Sequence, residues 1–220
     1  MRSAHARDTG GNAVSSTLEF WSTHQVGGPY TTREDSSQAL IERANLYPSL
    51  GELMPTDQEG KTVLDYGCGP GHDTLLFCLN GAGHVFYFDI SPLAREIVDM
   101  RLELHGLADR ASPVDHPWIP MVDHIHCAGV LHHTENPSSI LKDFRRLLKP
   151  GGEVRVMVYD GDLSKRTQSD VPITLWWTHI EFQYMCRMAG FDAEYLDSYE
   201  CSAEWRPDCW AACYRLTCSR

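Results

Sequence analysis

The sequence lacks any long apolar run. No stretch approaches the ~18 consecutive apolar residues that a membrane helix needs. The segment from Met1 to Asp8 also lacks the apolar core that a secretory signal contains. These two absences predict a cytoplasmic protein with no membrane partner.

Basic residues are also scarce in this chain. Lys and Arg number 19 against 30 Asp and Glu, which gives a formal net charge of −11. A broad nucleic-acid surface needs clustered Lys and Arg to neutralise phosphates. The composition therefore argues against nucleic acid as the main partner, although it leaves a local groove open.

Eight cysteines are present, but none of them form the C-x-x-C pair that is typical of a metal or redox site. The tightest cluster is Cys209, Cys213 and Cys218, with one even and one odd spacing. On a strand these three side chains would not all face the same side. We expect reduced thiols and no bound metal.

The length of 220 residues suits one sizeable α/β domain and no second large one. The composition of residues 1–16 suggests a disordered tail. Residues 17–55 read as a helical flap, interrupted by Gly27-Gly28-Pro29 and continued by a helix from Glu34 to Leu46. The main domain is expected over residues 56–220.

The main domain alternates between apolar runs that predict strands and periodic runs that predict helices. Val114 and Asp115 are expected to close a short third strand. The other strands are predicted at 61–66, 84–90, 121–128, 153–159, 191–201 and 209–218, and the helices at 72–79, 92–105, 137–148 and 173–189. Alternating strand–helix units that end in a hairpin predict a mostly parallel sheet with an antiparallel strand near one edge.

The most informative stretch runs from Val63 to Gly71, where an apolar run reaches an acidic residue and breaks into glycines at alternate positions. A turn free of side chains lets a ligand lie against backbone N–H groups and a helix N-terminus. The dinucleotide fingerprint needs a third glycine where this chain has His72. The Asp65 carboxylate would repel a pyrophosphate but suits a cofactor that carries an ammonium group. A nicotinamide-dependent dehydrogenase is therefore disfavoured.

The spacing Asp65-x-Gly67-Cys68-Gly69-x-Gly71 resembles the first motif of the class I S-adenosylmethionine (SAM)-dependent methyltransferases. The stretches 122–134 and 149–152 are similar to the fourth strand of that family and to the turn before its fifth. Together, the segments from Lys61 to Tyr159 resemble the type 11 group. The resemblance implies a Rossmann-like methyltransferase fold, with a seven-stranded sheet in the order 3-2-1-4-5-7-6 and helices on both faces. It also implies SAM as the cofactor.

Cofactor contacts follow from the handles that SAM offers. Asp89 closes the second strand, twenty residues beyond Gly69, where an acidic ribose ligand is expected. Ile90 can stack on the adenine, and the resemblance places Asp115 at the adenine amino group. Tyr30 follows the flexible glycine pair and either faces the cofactor or packs in the flap.

The methionine end of SAM needs acceptors for its ammonium. Asp65 and the backbone carbonyls near Ala128 are the candidates. Gly67, Gly69 and Gly71 keep the turn open, whereas Cys68 is read as a small buried filler whose thiol is not needed as a nucleophile.

Methyl transfer is an in-line displacement, so placement supplies much of the catalysis and a base is needed only if the acceptor must lose a proton. His132 and His133 are the candidate catalytic residues, and packing around the cofactor is the alternative role for the pair. Tyr159, Asp160 and Asp162 follow the fifth strand and are expected to line the acceptor side.

The sequence thus predicts a SAM-dependent methyltransferase that acts on O, N or C of a small-molecule acceptor. Two alternatives stay open at this point. One is a catalytically silent SAM-binding regulatory protein or subunit, because binding and transfer use different residues. The other is the disfavoured NAD-dependent dehydrogenase.

Overall fold

The computed structural model contains seven helices and seven strands among the residues that it describes, which are 10–24, 27–28, 30–47, 49–55, 57–115, 119–164, 171–201 and 208–219. The helices are α1 (Gly10–Thr23), α2 (Arg33–Leu46), α3 (Leu50–Leu53), α4 (His72–Leu79), α5 (Pro92–His105), α6 (Pro137–Leu147) and α7 (His179–Met188). The strands are β1 (Thr62–Tyr66), β2 (His84–Phe88), β3 (Ala111–Pro113), β4 (Val122–Ala128), β5 (Leu148–Tyr159), β6 (Phe191–Glu200) and β7 (Trp210–Cys218). A 3-10 helix at Leu131–His133 follows β4.

The strands form one sheet in the order β3-β2-β1-β4-β5-β7-β6, and this confirms the predicted order. The first five strands pair in parallel, whereas β7 is antiparallel to both β5 and β6. Parallel strands place their carboxyl ends at one edge of the sheet, and ligands of such folds bind outside that edge. The topology therefore brings the ends of β1, β2, β4 and β5 together.

Helices cover both faces of the sheet because neighbouring residues of a buried strand point to opposite sides. In β1, Val63 packs in a cluster with Leu75 of α4 and Val98 of α5. The next residue, Leu64, packs in a second cluster with Phe144 of α6 and with Phe182 of α7. Alternation along a single strand therefore produces the two apolar layers.

Two predicted boundaries were wrong in ways that matter for the site. Helix α1 begins at Gly10, inside the 1–16 segment that was expected to be a tail; residues 1–9 lie outside the described part of the chain. Its later turns belong to the predicted helical flap and are docked, with Thr17 buried and the Trp21 ring against His133. Packing of these turns stabilises a helix that begins earlier in the chain than the composition suggested.

Helix α7 begins at His179 and not at 173, because Thr178 and Glu181 form a capping box. The preceding residues run extended, since the N–H groups of Leu175 and Trp177 donate to the carbonyls of His132 (2.8 Å) and Tyr159 (3.4 Å). This segment is consequently laid across the ends of β4 and β5.

Strand β5 also begins earlier than predicted. Leu148 lies opposite Val122 of β4, but the next paired residue, Glu153, lies opposite His124. The Lys-Pro-Gly-Gly segment between them forms a bulge, and Lys149 Nζ binds Asp123 Oδ2 at 2.7 Å. Because of the bulge, β5 begins at Leu148, directly after α6 ends at Leu147.

The predicted orientation of the cysteines on β7 is confirmed. Cys209 and Cys213 pack in one cluster with Leu53, whereas Cys218 packs against the cluster on the other face. Sequence reasoning did not pair Cys201 with Cys209, yet their sulfurs lie 3.5 Å apart across the β6–β7 hairpin. Among the residues that the structure describes, no helix has the length and apolar character needed to span a membrane.

Candidate active site

The glycine loop after β1 is built by backbone hydrogen bonds and close packing. The N–H groups of Gly67 and Cys68 both donate to the Phe88 carbonyl, at 2.7 and 2.9 Å. Gly67 has a φ of 78°, and a methyl group added there would come within 2.1 Å of the Val130 side chain. Only glycine therefore fits at this point of contact between the loop and the segment after β4.

Gly69 differs from its neighbours in what surrounds it. Its φ is 50°, and a methyl group added there would meet no atom within 4 Å. Its N–H donates to Asp89 Oδ2 at 2.9 Å. By contrast, a methyl group at Gly71 would lie 2.7 Å from Val98 of α5. Gly71 is thus required for packing, while Gly69 faces open space in which a ligand can lie.

Asp89 lies at the end of β2 and is held by two backbone donors, because its other oxygen, Oδ1, accepts from the Ser91 N–H at 2.9 Å. Ser91 is the N-cap of α5, since its side chain accepts from the Ala94 N–H at 3.3 Å. Asp89 is therefore not needed to cap this helix. Burial raises the pKa of Asp89, against the opposing effect of the two N–H groups. A carboxylate has about four lone-pair directions, so the two oxygens keep acceptor capacity for a ligand.

The two candidates for the adenine lie beside Asp89 but are held differently. Ile90 is an exposed apolar side chain directly after the carboxylate. Asp115 follows β3, and its side chain is 95% exposed and accepts from Arg95 Nη1 at 2.5 Å. Asp115 is therefore a surface residue oriented by an ion pair with α5.

The side chains of Asp65, in β1, and of Cys68, in the loop, are both buried. Asp65 Oδ2 accepts from Thr74 Oγ1 of α4 at 2.6 Å, and burial raises the pKa of this carboxyl to about 6. Burial also raises the pKa of Cys68 well above its ordinary value, so the thiol is not a nucleophile at neutral pH. Ala128 ends β4 beside Met157 of β5, where the chain turns toward the histidine pair.

Sequence reasoning missed a buried network below Asp65. Asp73 Oδ2 accepts from Arg43 Nη2 of α2 at 2.7 Å and lies 2.9 Å from His126 Nε2 of β4. Burial alone would raise the pKa of Asp73, yet Arg43 and His126 outweigh it and hold that pKa below its usual range. The network fastens the flap helix α2 to β4 and to α4, the helix that follows the cofactor loop.

Tyr30 is buried against the cofactor loop. Its hydroxyl oxygen lies 3.3 Å from Nε2 of His72, the first residue of α4. The guanidinium of Arg101, on α5, lies over its ring at 4.2 Å from the centroid. The structure therefore brings the flap, the loop and α5 together at this residue.

The histidine pair after β4 is buried in an aromatic cluster. The His132 ring stacks on Tyr159 with centroids 3.6 Å apart and an interplanar angle of 22°. His133 Nδ1 lies 2.8 Å from the Ile173 carbonyl, and its ring packs against Trp21 at 5.3 Å. Four separate chain segments, including the part of α1 that lies in the predicted helical flap, thus meet around these rings.

Asp160, Asp162 and His179 come within 4.8 Å of one another, and sequence reasoning did not group them as metal ligands. Their atoms already bind protein groups. Asp160 accepts from Ser198 Oγ and from the Asp162 N–H, Asp162 accepts from the His179 N–H, and His179 Nδ1 lies 2.6 Å from the Tyr214 hydroxyl. These contacts join the end of β5 to the start of α7.

A glycine loop and an acidic strand end that meet at the carboxyl edge of a parallel sheet define a nucleotide-cofactor-binding α/β protein. Residues 39–197 match a family model described as a methyltransferase domain. The chain belongs to this family. The resemblance to class I SAM-dependent methyltransferases is thereby confirmed, and with it SAM as the cofactor; the dehydrogenase alternative is set aside.

Individual relatives differ in their acceptors. The chain is 32% identical to a tRNA U34 carboxymethyltransferase of Colwellia psychrerythraea over 117 residues, which are 49% of this chain and 35% of that protein. It is 27% identical to phosphoethanolamine N-methyltransferase 1 of Zea mays over 182 residues, 79% of this chain and 30% of that protein. The chain spans 25% to 37% of the length of the curated relatives that it matches.

Among solved structures, the chain is similar to the 1,6-didemethyltoxoflavin-N1-methyltransferase of Burkholderia thailandensis, which was crystallised with 1,6-didemethyltoxoflavin and S-adenosylhomocysteine. The TM-score is 0.66 at 21% identity, and the match covers 98% of this chain and 93% of that one. This likeness concerns the fold.

Proposed function

We propose that this protein transfers the methyl group of SAM to O, N or C of a small-molecule acceptor at the carboxyl edge of the sheet. The observation that carries the proposal is that the Gly69–Asp89 contact and the His132–Tyr159 stack lie at the ends of neighbouring strands of that edge. A cofactor position and an enclosed aromatic surface are therefore placed side by side.

The residues at the cofactor position fit the chemistry of SAM. The open space at Gly69 admits a ligand against the backbone, and Asp89 offers carboxylate oxygens to a ribose diol. We assign Ile90 to the adenine face, Asp115 to the adenine amino group, and Tyr30 to the flap over the cofactor. When bound, SAM supplies a methyl group that is already activated on a sulfonium.

For the ammonium end, we assign the Asp65 carboxylate and the backbone near Ala128. Thr74 engages Oδ2 of Asp65, so Oδ1 is the atom available to a cationic group. Gly67 and Gly71 keep the loop packed against its neighbours, and Cys68 fills the space beneath it.

A small acceptor is supported by the residues that surround the aromatic cluster. The described segments 129–136, 160–164 and 171–178 contain no Lys or Arg, while they contain Glu135, Asp160 and Asp162; Lys165 and Arg166, between the last two segments, lie outside the described residues. Phosphate-rich substrates need cations at the contact surface. The aromatic rings of Trp21, Tyr159 and Trp176 instead suit an apolar or planar molecule.

His133 is the first candidate for a proton acceptor. Its Nδ1 lies at hydrogen-bond distance from the Ile173 carbonyl, which can only accept, so the neutral ring carries its proton on Nδ1. The basic lone pair is then on Nε2. His132 is held by its stack on Tyr159 and serves to position its neighbour, so the pair divides into one basic and one packing residue.

The test is an incubation of the protein with SAM carrying a trideuterated methyl group and a fractionated cell extract, followed by mass spectrometry. We expect the label in a metabolite of low molecular mass, and much less of it with Asp89→Ala at a SAM concentration near the affinity of the wild type. The exposed Asp192, at the start of β6, provides the matched control Asp192→Ala. Label found in the RNA fraction would overturn the small-molecule assignment. Binding of S-adenosylhomocysteine (SAH) without any transfer would support the silent SAM-binding alternative.

A further inference from the structure

Arg101 is the largest fully buried side chain of the described residues, with an exposed fraction of 0%. It lies on α5 and no described carboxylate is within ion-pair distance of its guanidinium. Burial lowers its pKa to about 10, so the side chain stays charged at neutral pH. Buried charges are costly unless they are paired or hydrogen-bonded, and this cation must therefore be compensated by neutral groups.

Its three hydrogen bonds all reach oxygens outside its own helix. Nε donates to Ser36 Oγ at 2.9 Å and Nη2 donates to the Ser36 carbonyl at 3.0 Å. Nη1 donates to the carbonyl of Pro70 at 2.6 Å. Ser36 lies on the flap helix α2, and Pro70 lies between Gly69 and Gly71 in the cofactor loop.

The face of the guanidinium makes the fourth contact, with the Tyr30 ring at 4.2 Å. A cation over a desolvated aromatic face is attracted by the negative potential of the ring, so this contact stabilises the charge of Arg101. Because the Tyr30 hydroxyl also reaches His72, Arg101 and the loop bind the same flap residue from two sides. One planar cation therefore contacts two flap residues and the cofactor loop.

The contact to Pro70 has a consequence for the loop itself. In a trans peptide the C=O and the next N–H point in opposite directions. The Pro70 carbonyl points to Arg101, and the Gly71 N–H donates to the Cys68 carbonyl at 2.9 Å. Arg101 thus fixes the orientation of one peptide plane within the Gly69–Gly71 turn.

We propose that Arg101 is a positioning residue that couples docking of the flap to the binding conformation of the glycine loop. Loss of its contacts releases Tyr30 and Ser36 and frees the Pro70–Gly71 peptide at the same time. The inference rests on the proposed placement of SAM at this loop, and it assigns Arg101 a role without any contact to the cofactor.

The test measures SAH affinity by titration calorimetry in Arg101→Met, which keeps an unbranched side chain about as long as the aliphatic part of arginine and removes the guanidinium and its charge. Hydrogen bonds to a charged group are worth enough to lower the affinity at least about tenfold. Arg101→Lys should lose part of the SAH affinity, because one ammonium cannot bind Ser36 and Pro70 together as the planar guanidinium does. The matched control is Arg110→Met, since Arg110 Nη2 also donates to a backbone carbonyl, that of Ala82, away from the flap.

Coupling is tested by a double-mutant cycle of Arg101→Met with Tyr30→Leu. We expect the double variant to bind SAH no more weakly than the weaker single variant. Hydrogen exchange of α2 without ligand should be faster in Arg101→Met and unchanged in Arg110→Met. Should Arg101→Met not fold, the cycle is run with Arg101→Lys and Ser36→Ala.

Wild-type protein that binds no SAH would refute the placement of the cofactor. If the wild type binds SAH and Arg101→Met binds it within about twofold of the wild-type affinity, the coupling alone is refuted. Additive losses in the cycle would likewise assign Arg101 to stability and overturn the proposal.

Discussion

The backbone N–H of Gly69 donates to Oδ2 of Asp89 across 2.9 Å and joins the loop after β1 to the end of β2. The contact fixes the orientation of the carboxylate relative to the loop. The Ser91 N–H donates to the other oxygen, Oδ1, so both carboxylate oxygens are held by backbone donors. A ligand that approaches the loop meets a carboxylate that needs little rearrangement.

Asp89→Ala should weaken SAH binding because it removes the carboxylate that the N–H groups of Gly69 and Ser91 hold in place. Charge-assisted hydrogen bonds of this kind contribute ~1.5–3 kcal/mol, which corresponds to a loss of about ten- to a hundredfold in affinity. Titration calorimetry at pH 7 measures the change. Asp192→Ala should bind SAH as the wild type does, and equal affinities in Asp89→Ala and Asp192→Ala would exclude Asp89 from the site.

The loop and its acidic partner could be predicted from the sequence because their signals are local, whereas the strand order was predicted only through the resemblance to the methyltransferase family. The helix α4 starts and ends where the glycine loop and its apolar residues predicted, at His72 and Leu79. The start of α7 was also visible as Thr178-x-x-Glu181, but the apolar residues before it were read as helical. A capping signal outweighs periodicity when the preceding residues pair with strand ends.

The interior of the site could not be predicted in the same way. Arg101 occupies a core position of α5, since Ala94, Ile97, Val98 and Leu102 form one buried stripe with it. A charged residue in an apolar stripe is the signal that was available. Its partners are 31 and 65 residues away in sequence, however, so only the fold reveals why the charge is tolerated.

His133→Ala should separate a catalytic role from a packing role. If His133 accepts a proton, turnover falls by about 10²–10⁴-fold while SAH affinity stays near that of the wild type. Initial rates with the identified acceptor and SAH titrations give the two numbers. His132→Ala is the comparison, because its ring stacks on Tyr159 and its loss should change acceptor affinity and stability more than turnover. Equal losses of turnover and SAH affinity in His133→Ala would assign the ring to packing.

His72 should make the folded state sensitive to acid. Burial, with further contributions from Arg43 and Arg101, lowers its pKa to about 3. The unfolded chain binds a proton there near pH 6.5 and the folded chain does not, so stability is lost as the pH falls below 6.5 toward 3. From pH 7 to pH 5 the wild type should lose about 1–2 kcal/mol more than His72→Gln, which does not titrate.

Urea unfolding at both pH values measures this difference. His124 is also buried with a lowered pKa, but it is common to both proteins and cancels in the comparison. His72→Gln retains a polar group for the Tyr30 hydroxyl. Equal losses of unfolding free energy in the two proteins would show that folding does not lower the pKa of His72 and that the ring is protonated at pH 5 in the folded state.

Trp21→Ala tests whether helix α1 forms part of the acceptor surface. Its ring packs against His133, which we assign to the acceptor side, and it has no described contact with the glycine loop. Truncation should therefore raise the KM for the acceptor by about tenfold or more and leave SAH affinity unchanged, as expected for a lost aromatic wall. Leu18→Ala is the matched control, because Leu18 is exposed on the same helix. If Trp21→Ala lowered SAH affinity and left the KM for the acceptor unchanged, α1 would belong to the cofactor flap and the acceptor would bind elsewhere along the edge.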